Sequence, residues 1–383
     1  MKRQKIKNID KAASRIKEAV LNKERIILYG DSDLDGISSV VILEEAIKSL
    51  GGKIDSVFFP DRENDGYGIN LNILESIKDK VPALFITLDL GISNIKEVKA
   101  ANDMGFEVII IDHHETLIGT PEASIIVDPK QKDDDYAFKG LANVGITFRL
   151  CEELLGDGIS KNLRDSFLEL TALGTIADMV PQIDENQAIV EDGLRSLKNT
   201  FRPGLRAFLD ALGKGNVFSG LLLKIISALN AAESKNYQND SYFLLTSSSP
   251  KDCKDLVDNL MGRTLQKQQK VKEITMEIER RFSKNPDENI IFEGDPSWKL
   301  TLAGSVASIV SQKYEKPAFI YKRGDKESCG SVRNPKGTNS VEAMKTCSEF
   351  LITYGGHAQA SGFRVKNEDL DKFKECLVKY FKE

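Results

Sequence analysis

The segment Ile109-Ile110-Ile111-Asp112-His113-His114-Glu115 breaks from an apolar run straight into an acid and two imidazoles. β-Branched runs of this kind favour strands. The chain has 3 histidines, two of them here and the third, His357, in Gly355-Gly356-His357. A strand that delivers carboxylate and imidazole at its carboxyl end has the geometry of an α/β active site. The plainer alternative, a strand end with solvated polar residues, suits a single histidine better than an Asp-His-His run.

Upstream of this segment, strands and helices alternate. Ile9 to Leu21 has the period of an amphipathic helix. Arg25 to Tyr29 is a short apolar strand, broken by Gly30 and followed by Asp31-Ser32-Asp33-Leu34-Asp35-Gly36. Ile37 to Leu50 is helical again and stops at Gly51-Gly52. The strand Ile54 to Phe59 runs into the polar loop Pro60 to Gly68, and a helix follows from Leu71 to Lys78. The strand Ala83 to Leu88 ends at Asp89-Leu90-Gly91, and a helix from Ile92 to Met104 leads to the strand ending at Asp112. This alternation predicts an α/β fold with a mostly parallel sheet and helices on both faces. Parallel strands share one carboxyl edge, so Asp31, Asp33, Asp35, Asp89 and Asp112 to His114 can converge there.

Downstream, Ala123 to Val127 reads as a strand, and Asn143 to Leu155, Leu163 to Met179 and Glu185 to Lys198 as helices. The middle one carries Asp178 among small and apolar residues, where an acid needs a partner or a metal. Residues 201–285 read as a helical connector, ending in a long charged helix from Asp252 to Phe282 that suits a solvated inter-domain role. Past Pro286 the strand-helix rhythm restarts as a second, smaller α/β domain. The predicted divisions are therefore residues 1–200, 201–285 and 286–383.

At 383 residues, 41% of them hydrophobic and 29% charged, the chain has room for two domains without disulfide staples. The 5 cysteines show no paired spacing, and no apolar leader or membrane-length run appears, which predicts free thiols in a reducing cytoplasm and no membrane contact. A net charge of −5 argues against sequence-blind coating of DNA but leaves room for a basic cleft in a nucleic-acid enzyme.

Three aspartates at alternate positions, Asp31, Asp33 and Asp35, are the second unusual feature. Two carboxylates about 4 Å apart repel by roughly 4 kcal/mol at an effective dielectric near 20. Gathering five or six of them calls for divalent cations, and mixed carboxylate-imidazole ligation points to manganese, with magnesium as the alternative. Two such ions bridged by one aspartate suit a phosphoryl displacement. An EF-hand reading of Asp-x-Asp-x-Asp-Gly fails, because Ile42 stands where the loop's last Glu belongs and a strand precedes the loop.

Asp31 to Gly36, Leu88-Asp89-Leu90-Gly91-Ile92, Asp112-His113-His114 and Gly174-Thr175-Ile176-Ala177-Asp178 together resemble the four motifs of DHH phosphoesterases, and most nearly those of RecJ-like single-strand exonucleases. Phe59-Pro60-Asp61-Arg62 with Gly66-Tyr67-Gly68 is similar to a segment of the same group. Ala303 to Pro317, Gly330-Ser331-Val332-Arg333 and Gly355-Gly356-His357 resemble the DHH-associated C-terminal domain. The resemblance implies that Asp33 and Asp89 hold one metal and Asp35, Asp89, His113 and Asp178 the other, with Asp112 orienting them and His114 facing the scissile phosphate. It further implies a pocket for a 5′-terminal phosphate made by Arg62, Ser331 and Arg333. His357, with the amides of Gly355 and Gly356, would grip a nucleotide.

Three positions depart from the pattern. Tyr29 stands where many relatives carry a metal-binding His, so Asp31 or a water is expected to complete that shell. Ala231-Ala232-Glu233-Ser234 replaces a segment with Gly-Arg. The sequence stops at Glu383, so a compact, archaeal-like form without the OB-fold of long bacterial members is expected. The implied activity is a metal-dependent 5′→3′ exonuclease on single-stranded DNA or RNA, with replication or repair proteins as partners. The alternatives are a phosphodiesterase of oligoribonucleotides or cyclic dinucleotides, which Arg62 and Arg333 disfavour, and a non-catalytic replication scaffold, which the full acid set disfavours.

Overall fold

The computed structural model describes residues 4–115, 119–213, 218–283 and 288–382, and the chain divides into two compact units, Met1–Thr264 and Leu265–Glu383. In the first unit the order is α1 (Ile9–Leu21), β1 (Arg25–Gly30), α2 (Leu34–Ser49), β2 (Ser56–Phe58), α3 (Leu71–Ser76), β3 (Ala83–Leu88), α4 (Ile95–Met104), β4 (Phe106–Ile111) and β5 (Ile125–Val127). Six helices follow: α5 (Asn143–Leu155), α6 (Lys161–Ala177), α7 (Asp184–Leu197), α8 (Pro203–Leu212), α9 (Phe218–Leu229) and α10 (Asp240–Thr246). The long α11 (Pro250–Phe282) carries the chain from the first unit into the second.

The first sheet is wholly parallel, with strand order β2-β1-β3-β4-β5. Its strands alternate in sequence between two buried faces. Ile26, Leu28, Leu84, Ile86, Ile109 and Ile111 join the core containing α1, α2, α5 and α6. Ile27, Tyr29, Phe85, Val108 and Ile110 face the core containing α3 and α4. Burial on both sides explains why β3 and β4 are apolar apart from Thr87 and the partly exposed Glu107. Helices α8–α10 are part of this first core, to which they supply Leu205, Phe208, Ile225, Leu229 and Leu244.

The second unit holds β6 (Ile291–Asp295), α12 (Leu300–Tyr314), β7 (Ala318–Arg323), β8 (Glu327–Arg333), α13 (Ser340–Thr346), β9 (Leu351–His357), β10 (Ala360–Lys366) and α14 (Leu370–Tyr380). Its sheet order is β6-β7-β8-β10-β9, with β6 and β7 parallel and the other pairs antiparallel. The expectation of free thiols holds for Cys151, Cys253 and Cys329 but not for Cys347 and Cys376, which form a disulfide. Those two lie 29 residues apart, one just after α13 and the other in α14, so only tertiary packing brings them together. Among the described residues no helix is long and apolar enough to cross a membrane.

Candidate metal centre

Strand order reverses between β1 and β3, which is where a doubly wound sheet opens a crevice at its carboxyl edge. Asp31 follows β1, Asp89 follows β3 and Asp112 follows β4, so all three are delivered to that edge. The loop after β1 turns directly into α2. Asp33 caps this helix, its Oδ1 accepting from the backbone N–H of Asp35 and of Gly36, each at 3.1 Å. Gly36 is required by the tightness of the turn, since a Cβ there would lie 2.4 Å from the Asp31 carbonyl oxygen.

Asp35 is buried, and its two oxygens accept from the first N–H groups of α5, Asn143 at 2.8 Å and Val144 at 2.7 Å. Asp89 sits in the left-handed region at φ 65, an unusual conformation for a non-glycine residue and one that clusters at functional sites. Burial, then the carboxylates of Asp178 and Asp33, push the Asp35 carboxyl well up. Burial and the charges of Asp35, Asp33, Asp31 and Asp178 do the same to Asp89. Burial also opposes charge at Asp33, but the Arg62 guanidinium outweighs it and holds that carboxyl low.

His113 is buried, with Nδ1 3.2 Å from the Leu141 carbonyl oxygen, to which it can only donate. Its Nε2 is then the lone-pair nitrogen, and it lies 3.2 Å from Asp89 Oδ1, 3.7 Å from Asp178 Oδ2 and 4.0 Å from Asp35 Oδ2. A lone pair facing carboxylate oxygens at these distances is the donor set of a divalent cation. Among the groups whose ligand atoms lie within 4.8 Å of one another are Asp31, Asp33 and Asp89, and Asp35, His113 and Asp178. A metal ion therefore fits the residues present. Asp178 enters this second group as the residue that ends α6.

Asp112 is wholly buried and accepts from the Ile92 N–H through Oδ2 at 2.9 Å. Its Oδ1 takes the N–H of His113 at 2.8 Å, the N–H of His114 at 3.2 Å and His114 Nδ1 at 2.7 Å. Burial works against the Asp112 charge, but His114 and the two backbone donors Ile92 and His113 keep the carboxyl low. Burial likewise opposes charge on His114, and Asp112 reverses this, lifting the imidazole to about 9. An amide cannot replace such a carboxylate, because its NH₂ would face N–H donors whichever way it turned. Asp112→Asn should lower unfolding free energy by about 1–3 kcal/mol in urea titration. An unchanged midpoint would show that these contacts contribute nothing to the fold.

Arg62 lies in the loop after β2 and reaches the same edge. Its Nε donates to Asp31 Oδ1 at 3.0 Å, and its Nη2 to Asp31 Oδ2 at 2.5 Å and Asp33 Oδ2 at 2.9 Å. Tyr29 faces the other side of the sheet, donating to the Gly68 carbonyl and accepting from the Asn70 N–H, both at 3.3 Å. Two supporting residues escaped sequence reading. Asn230, just before the departing Ala231-Ala232-Glu233-Ser234 segment, accepts from the Leu34 N–H at 2.9 Å and so braces the aspartate loop. Asp128 follows β5 as Asp112 follows β4, and burial and the Asp112 charge push its carboxyl up to about 7. The signal for Asp128 was the same one that marked its neighbours, an acid ending an apolar strand.

In the second unit, the residues assigned to phosphate and nucleotide line up across three strands. Ser331 and Gly355 both pair with Gly362, and Arg333 and His357 both pair with Ala360. Directly opposed residues point to one side of a sheet, so Ser331, Arg333 and His357 share a face. Arg333 Nη1 donates to the Val332 carbonyl at 2.8 Å. Gly304 of α12 lies over this face, where a Cβ would stand 3.1 Å from Arg333 Nη2 and 3.6 Å from Ser331 Oγ.

Residues 25–175 match the N-terminal domain of the DHH family, and residues 287–383 match the DHHA1 domain. The single-stranded-DNA-specific exonuclease RecJ of Bacillus subtilis (strain 168) is 34% identical over 379 residues, covering 97% of this chain and 47% of that protein. The crystal structure of RecJ from Thermus thermophilus in complex with Mn²⁺ superposes with a TM-score of 0.82 at 25% identity, over 98% of this chain and 55% of that one. A crystal structure of an exonuclease RecJ bound to manganese gives a TM-score of 0.77 at 26% identity, over 99% and 95%. This chain thus spans about half the length of the Bacillus and Thermus proteins. With the DHH motifs on one sheet edge of the first unit and the DHHA1 match across the second, the chain carries a DHH domain and a DHHA1 domain and is similar to RecJ.

Proposed function

We propose that this protein is a divalent-cation-dependent nuclease that shortens single-stranded DNA, or RNA, from the 5′ end and releases 5′-mononucleotides. The observation that carries this reading is the contact between two donor groups, where Asp89 Oδ1 of one lies 3.2 Å from His113 Nε2 of the other. Two cations, with manganese favoured by the mixed oxygen and nitrogen donors, would supply Lewis acidity to the scissile phosphate.

Asp89 joins the two groups. Asp31 and Asp33 complete one, and Asp35, His113 and Asp178 the other. Asp112 holds His114 by Nδ1, which makes Nε2 the nitrogen that meets a phosphate oxygen. Ser331 and Arg333 hold the terminal 5′-phosphate, and His357 with the amides of Gly355 and Gly356 holds the nucleotide. Replication or repair proteins are the partners that such an activity serves, and the cytoplasm its setting.

The test is a digest of 5′-phosphorylated single strands, DNA and RNA in parallel, labelled at the 3′ end, with Mn²⁺ or Mg²⁺ and with chelator. Loss of one nucleotide at a time from the 5′ end, abolished by chelator, is the expected result. Cleavage of dinucleotides alone, with long strands left intact, would overturn it.

A further inference from the structure

We propose that Arg62 is the built-in counter-ion of the Asp31–Asp33–Asp89 group and competes with a divalent cation for its oxygens. That group should therefore take its cation more weakly than the Asp35–His113–Asp178 group. The inference rests on the two-cation reading above and deepens it.

The hydrogen bonds of the two groups differ in kind. Asp31 Oδ1 accepts from the Ser32 N–H at 2.7 Å and from Arg62 Nε, and Asp33 Oδ1 is committed to capping α2. The remaining Oδ2 atoms of both acids converge on one nitrogen, Arg62 Nη2, at 2.5 Å and 2.9 Å. A cation drawing on these oxygens must share them with a guanidinium of like charge, and the two repel. Asp35 meets no such rival in its hydrogen bonds, because its donors are the neutral N–H groups of Asn143 and Val144. Backbone amides at a helix start stay with their acid, whereas an arginine side chain can swing aside. Arg62 is only partly buried, and the Tyr67 ring, 5.1 Å from its guanidinium carbon, gives it a second surface to rest on.

The experiment is a titration of the full chain with Mn²⁺, counting free ion by its electron paramagnetic resonance signal. Wild type should bind two ions with unequal affinities. In Arg62→Gln the weaker affinity should tighten by about tenfold or more, while the stronger one stays put. Arg62→Lys keeps the charge but loses the fork, so it should fall between wild type and Arg62→Gln, and it serves if the glutamine variant folds poorly. Two ions bound with affinities that neither variant changes would overturn the counter-ion role while leaving the two-cation reading standing. No Mn²⁺ bound by wild type or variants would overturn that reading, and this proposal with it.

Discussion

Asp89→Asn is expected to lower the rate of single-strand hydrolysis by on the order of a thousandfold, with the fold retained. Asp89 is the residue whose oxygen touches the second donor group while belonging to the first. Losing it should unseat both cations, whereas losing Asp33 or Asp178 should unseat one. Asparagine is the informative replacement, because Asp89 has φ 65 and Asn tolerates that region nearly as well as Asp does. Alanine would add backbone strain and blur the result. Removing one of several crowded carboxylates should also relieve repulsion, so in chelator the variant should be more stable by on the order of 1 kcal/mol. Rate on a labelled single strand, Mn²⁺ stoichiometry and urea midpoint are the three measurements. A variant that keeps more than about a tenth of the wild-type rate would sink the assignment of Asp89 as the shared ligand.

That Asp89 stood out at all follows from where sequence speaks most plainly. Residues 83–88 and 143–155 form elements with the predicted bounds, because their patterns are long and their ends are marked. The helix expected from Ile92 begins only at Ile95, since the Ile92 N–H is taken by Asp112 and Gly91 before it sits at φ 121. Strand β9 was not legible. Its Gly355-Gly356-His357 end looks like a loop, and two glycines erase the alternation that betrays a strand. The Cys347–Cys376 bond was equally hidden, because it depends on how α13 and α14 pack.

The partners of Arg62 illustrate a deeper limit. Resemblance assigned Arg62 to a phosphate, and nothing in its neighbours announces that its fork lies on Asp31 and Asp33, some 31 and 29 residues away. Motifs reveal which residues gather, but the pairing among them is decided by geometry over a few ångströms. The order of the strands had to be known before Asp31 and Asp89 could be placed on either side of one crevice.

The same geometric argument applies to the second unit and gives the other large effect. Arg333→Ala should slow hydrolysis of 5′-phosphorylated strands by on the order of a hundredfold, because a guanidinium fork makes two charge-assisted bonds to phosphate. Ser331 and His357 share its face, and the missing side chain at Gly304 keeps the space beside its Nη2 open. Strands carrying a 5′-hydroxyl never make the contact and should lose much less. Arg333→Lys restores the charge without the fork and should recover the rate only in part. Gly304→Val offers a second route to the same answer, since its side chain would press on Arg333 Nη2 and crowd the phosphate held there while keeping the guanidinium charge. Rates on the two 5′ forms, measured side by side, are the readout. Equal losses on both forms in Arg333→Ala would mean that Arg333 supports the end of β8 rather than a terminal phosphate, and would return the choice to a nuclease that does not measure from the 5′ end.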